Sequence, residues 1–142
     1  MTTSRIGLLA AAAALAISGA CAHGGSSSAT PSSATPSYTN AQAVDGERTY
    51  RAACVACHGT ALEGEGDAPP LVGASFARRW AGHPVGELIG FMGGHMPGTL
   101  PGQLSDRSYL DATAYLLASN GVTPGATPLA ADATWAIPLE PR

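Results

Sequence analysis

The sequence predicts an all-α fold, and three observations carry the prediction. Segments 41–53 and 106–119 repeat apolar residues at helical spacing. No stretch alternates apolar and polar residues as a half-buried strand does. Between the two helices lies Cys54-Val55-Ala56-Cys57-His58, a C-x-x-C-H run with no parallel-strand pattern beside it.

The chain opens with one positive charge, Arg5, followed by an apolar run over 6–17. That run is too short to span a bilayer and has the layout of a secretory signal, assigned to 1–20. Ser18-Gly19-Ala20-Cys21 offers two endings, ordinary signal-peptidase cleavage or lipidation of Cys21. It is similar to a bacterial lipobox, except that Ser18 stands where an aliphatic residue is usual. Residues 21–42 are rich in Gly, Ser, Ala, Thr and Pro and show no core pattern, so they read as a tether. A tether suits a lipid anchor; soluble secretion is the alternative. Both endings place the protein outside the cytoplasm.

The folded domain is expected over 43–121, with its first helix starting near Ala41. Along 41–53 and into the next residue, Val44, Tyr50 and Cys54 recur at helical spacing, and Asp45 and Glu47 lie toward the positive N-terminal end. Gly46 costs about 1 kcal/mol in a helix interior unless another helix must approach closely there. Residues 59–70 read as a loop, with Glu63, Glu65 and Asp67 solvated rather than forming a calcium site. Segments 75–80 and 84–92 read as short helices, the second starting at Pro84 and stopping at Gly93-Gly94. Ser105 is the expected N-cap of the last helix, 106–119, and Asn120-Gly121 its stop. Residues 122–142 hold Leu129, Trp135, Ile137 and Leu139 without periodicity and read as an arm lying over the domain.

C-x-x-C-H is the attachment signature of a c-type haem. Thiols at this spacing reach the two vinyl groups on one porphyrin edge, and the next histidine is held under the iron. A redox dithiol would need a βαβ pattern. A structural zinc site would need four ligands, but Cys21 lies in the signal region and His83 and His95 are too far apart to form an H-x-x-x-H pair. About eighty residues make a marginal core, which one covalently held haem would complete.

Further motifs extend the case. Gly46-x-x-x-Tyr50, Ala114-Tyr115-Leu116, Pro69-x-Leu71-x-Gly73 and the run from His95-Met96-Pro97-Gly98 to Pro101-Gly102-Gln103-Leu104-Ser105 stand in order around C-x-x-C-H. Together they resemble a small bacterial class I cytochrome c over about 45–121. The resemblance implies short helices and loops wrapped around one haem, with the N- and C-terminal helices crossing at Gly46. It implies that the Pro69 carbonyl accepts a hydrogen bond from His58, and that Met96 is the axial ligand opposite His58.

The residues themselves leave Met92, His95, Met96 and the remote His83 as candidates for that position. Met92 ends an apolar helical face, where packing is the usual role. Met96 follows a glycine pair and precedes a proline-stiffened loop. Arg79 and Trp80, after Arg78, are candidates to bind the haem propionates, the alternative being a charged helix face over a core tryptophan.

An iron closed by His58 and Met96 would change charge without binding substrate, so the expected function is one-electron transfer rather than enzymatic catalysis. The expected partners are redox proteins: a periplasmic dehydrogenase, an oxidase or a respiratory complex. A haem ligand sensor or peroxidatic protein with a labile sixth ligand is the alternative, and a structural haem subunit of a membrane complex a third. The chain has a net charge of −3 and no lysine, which argues against nucleic acid and against a basic docking ring. The expected location is the periplasm, with a membrane tether if Cys21 is lipidated.

Overall fold

Thr39 begins the first helix through a reciprocal cap. The Gln42 N–H donates to Thr39 Oγ1 at 3.2 Å, and the Thr39 N–H donates to Gln42 Oε1 at 3.2 Å. This helix, α1, is Asn40–Ala53 in the computed structural model, which describes residues 35–140. It is followed by α2 (Val55–His58), α3 (Gly73–Trp80), α4 (Val85–His95) and α5 (Asp106–Ser119). Among the described residues only two isolated β-bridges occur, so the fold class is all-α as predicted. No helix among them is long and apolar enough to cross a membrane. The expected signal and Cys21 lie outside the described residues.

The α1–α5 crossing sets the frame. A Cβ on Gly46 would sit 1.8 Å from the Asp111 carbonyl oxygen and 2.9 Å from Tyr115 Cβ, so only glycine lets the two backbones meet. The crossing also corrects the expected buried stripe. Gln42, Ala43, Gly46 and Tyr50 face inward, whereas Val44 is 44 % exposed, because the face is centred on Gly46. Asp45 and Glu47 lie beyond the first turn and pair instead with Arg48 and Arg51. On α5, Ser105 Oγ accepts the Ser108 N–H at 3.1 Å, and Gly121 at φ +83° follows the C-cap, Asn120.

Helix α4 runs through Gly93-Gly94, where a stop was expected, and ends at His95. Glycine weakens a helix without forbidding it. The effective stop is Pro97, which disfavours helical backbone in the residue before it. Met96 is accordingly extended, at φ −123° and ψ 147°.

Packing also begins before residue 43, inside the segment read as tether. Tyr38 is fully buried, and its hydroxyl donates to the Val122 carbonyl. Its own carbonyl accepts the Gly125 N–H at 2.8 Å. Gln42 exchanges two hydrogen bonds with Leu129, at 2.8 and 3.1 Å. Composition averages over a polar run and misses one aromatic that finds a pocket. Residues 122–140 then cross the molecule. Val122, Leu129, Trp135 and Ile137 are buried, and Ile137 and Trp135 hydrogen-bond the backbone of the α3–α4 turn at Gly82, His83 and Val85.

Candidate functional site

Cys54 is both the C-cap of α1 and the N-cap of α2, so the C-x-x-C-H run is wound into a single tight turn. The Cys57 and His58 N–H groups both donate to the Cys54 carbonyl, at 3.1 and 3.0 Å. Residues three apart on a turn share a face. Both thiols are free; Cys54 is part-buried and Cys57 exposed. Burial, then the neighbouring Cys57, pushes the Cys54 thiol pKa above its ordinary value.

The His58 residue is only 7 % exposed. Its Nδ1 lies 3.0 Å from the Pro69 carbonyl oxygen. Because a carbonyl only accepts, Nδ1 carries the proton. The Nε2 lone pair is left free, and it makes no hydrogen bond with any described residue. A buried imidazole with one nitrogen tied down and the other unused has the chemistry of a metal ligand.

The loop that brings Pro69 to His58 is held at several points. The Gly64 N–H donates to the His58 carbonyl at 2.9 Å, and the Leu71 N–H to the Leu62 carbonyl at 2.8 Å. Asn120 closes it: Nδ2 donates to the Leu71 carbonyl at 2.9 Å, and Oδ1 accepts the Gly73 N–H at 3.0 Å. Glu63 is exposed, as expected, and its carboxylate accepts the Ala61 N–H at 2.7 Å. The Tyr50 hydroxyl donates to the Gly59 carbonyl at 2.6 Å, tying α1 to the end of α2. Burial above all, then the negative charges of Cys54, Tyr115 and Glu63, raises Tyr50 to about 12.

On the other segment, Met96 is half-buried at the extended residue after α4. Its N–H donates to the Met92 carbonyl at 2.8 Å, and its carbonyl accepts the Tyr109 hydroxyl at 2.7 Å. Met92 is 7 % exposed and faces α5, where Thr113 Oγ1 lies 3.5 Å from its sulfur. His95 is exposed; its Nδ1 lies 2.9 Å from the Phe91 carbonyl oxygen, and its ring stacks on Phe91. His83 is exposed and pairs with Glu87 at 2.8 Å.

Arg79 and Trp80 stand around a different hollow. A cavity of about 350 Å³ is lined by Arg79, Trp80, His83, Glu87 and Phe91. None of Cys54, Cys57, His58, Pro69 or Met96 lines it. The Arg79 guanidinium lies 5.2 Å from the Trp80 ring centre and 4.9 Å from that of Phe91. Arg48, Arg51 and Arg107 pair with carboxylates, whereas among the described residues Arg78 and Arg79 have none within ion-pair distance.

The residues fit a covalently attached, metal-centred group. They supply two free thiols on one turn, one imidazole nitrogen with a free lone pair, and a thioether on the segment after α4. Among the described residues no three His, Cys, Asp or Glu side chains converge on a metal position, so the zinc alternative finds no second pair of ligands. Sequence reasoning missed the Tyr50 and Tyr109 hydroxyls and the Asn120 clasp, having read these residues as core or helix stop. The available signal was chemical: a buried hydroxyl or amide needs a partner.

Residues 41–116, just over half of the chain, match the family model described as cytochrome c oxidase, cbb3-type, subunit III. No curated protein and no solved structure gives a significant match.

Proposed function

The chain belongs to the cytochrome c oxidase, cbb3-type, subunit III family, and from that membership we propose which residues serve its cofactor and whom it serves. The domain is a haem c electron carrier, not an enzyme. Bound haem c supplies a one-electron couple between ferrous and ferric iron.

Cys54 and Cys57 hold the group through two thioether bonds, each formed between a sulfur and a vinyl carbon. His58, with Nδ1 tied to Pro69, would offer its Nε2 lone pair to the iron. The Pro69 carbonyl fixes the His58 tautomer and makes the ring a stronger donor. Met96, its backbone held by Tyr109, would supply a thioether to the same iron. An iron held by both His58 and Met96 would have no place left for substrate. Arg79 and Trp80 are the proposed partners of the haem carboxylates: among the described residues Arg79 has no carboxylate within ion-pair distance.

The observation that carries this reading is the free Nε2 of His58 beside its tied Nδ1. Ferric absorption with and without cyanide tests it. A closed iron leaves the spectrum of fresh protein almost unchanged at modest cyanide, whereas rapid conversion to the cyanide form would mean a labile sixth site and favour the sensor or peroxidatic reading.

The proposed partners are redox proteins of the respiratory chain, a dehydrogenase or an oxidase, met in the periplasm. Residues 88–105, which carry Met96, contain no charged side chain apart from the titratable His95, and Leu100 within them is 60 % exposed. Docking at such a surface depends little on steering. The electron-transfer rate constant is therefore expected to stay nearly flat as salt is added; a steep fall would count against an uncharged docking face. A lipid anchor at Cys21 completes the proposal, and Cys21→Ser should move the haem protein from the membrane fraction to the soluble one with its spectrum intact. A wild-type protein already soluble and without added mass would exclude the anchor.

A further inference from the structure

Helix α4 ends on a histidine immediately before the proposed sulfur ligand. Imidazole is a good ligand for haem iron and favours the ferric state relative to a thioether. A chain that uses Met96 therefore has a strong competitor one residue away. Three contacts hold that competitor. The His95 Nδ1–H donates to the Phe91 carbonyl at 2.9 Å. The His95 and Phe91 rings stack with centroids 4.5 Å apart and planes 15° from parallel. The Phe91 ring is itself braced, by the Arg79 guanidinium at 4.9 Å and by the edge of Trp80 at 5.6 Å.

The direction of the chain completes the separation. Phe91 and His95 are four residues apart and share a helical face. Met96 has left the helical course, so its side chain departs along a different line from that of His95. With Nδ1 donating to Phe91, the nitrogen able to bind iron is Nε2, and the stack fixes where that nitrogen points.

We propose that Phe91 is a positioning residue that keeps His95 off the iron and so selects Met96 as the sixth ligand. This inference rests on the reading of Met96 as ligand. It assigns Phe91 a role in setting ligand identity, and through it reduction potential, beyond filling space between α3 and α4.

The test uses the haem-loaded protein, with Phe91→Ala and, should that variant fold poorly, Phe91→Leu, which keeps apolar bulk but not the stack. Ferric absorption, electron paramagnetic resonance and reduction potential are measured. The expected result is loss of the sulfur-to-iron charge-transfer band, a low-spin bis-imidazole signature and a lower potential. Adding His95→Ala to the Phe91→Leu background should restore the band and the potential. A Phe91→Leu protein that keeps the wild-type band overturns the positioning role while leaving Met96 as ligand. So does a double variant that fails to recover it. A wild-type protein without the band would instead overturn the ligand reading, and the positioning role with it.

Discussion

The Nδ1 of His58 and the carbonyl oxygen of Pro69 lie 3.0 Å apart, across eleven residues of sequence. That bond sets the tautomer of His58 and pushes electron density toward Nε2, which favours ferric iron. Pro69→Ala should loosen the carbonyl and weaken that push. The expected outcome is a higher reduction potential, by voltammetry, with Cys54 and Cys57 still attached to haem. An unchanged potential would mean that the carbonyl does not tune the ligand.

Gly46 and Asp111 define the helix crossing. Gly46→Ala would drive a methyl into the Asp111 carbonyl, 1.8 Å from its ideal position. Overpacking costs about 1–3 kcal/mol, occasionally more, and the upper end applies because backbone rather than a flexible side chain stands in the way. Denaturant unfolding of the holoprotein should give an unfolding free energy lower by that amount, seen as a lower midpoint at unchanged slope. Wild-type stability in Gly46→Ala would mean that the helices do not meet at this contact.

Tyr50 makes the stability of the fold pH-dependent at the alkaline end. Burial chiefly raises its hydroxyl from 10.0 to about 12. A raised folded-state pKa means that the folded protein keeps a proton the unfolded chain has lost. The stability it contributes is therefore fully present below pH 10 and drains as pH rises toward about 12. Unfolding measured across that range should show the decline in wild type and a shallower one in Tyr50→Phe. Identical curves would separate Tyr50 from the alkaline transition.

Much of this was legible in sequence, for physical reasons. The α5 cap at Ser105 and the C-x-x-C-H turn are each fixed by local chemistry within a few residues, and Gly46 points to a close approach through its cost in a helix interior. Helix α4 was misjudged because Gly93-Gly94 looks like a stop, while the constraint that ends the helix comes from Pro97. That Tyr38 and Asn120 need partners is legible, but which partners they find is not, since these lie 84 and 49 residues away along the chain. Val44 misled because an apolar residue at helical spacing says nothing about which of two stripes the partner helix will cover.

Met96, not Met92, is the sulfur ligand proposed for the iron. Met92 is buried against Thr113 on α5, so Met92→Ala should lose about 2–5 kcal/mol of core packing and keep the sulfur-to-iron charge-transfer band. Met96→Ala should abolish the band, open the iron to added ligands and lower the reduction potential. Ferric absorption of the two holoproteins side by side is the most direct measurement. Loss of the band in Met96→Ala alone is the expected result; loss in Met92→Ala alone, or in neither, would contradict it.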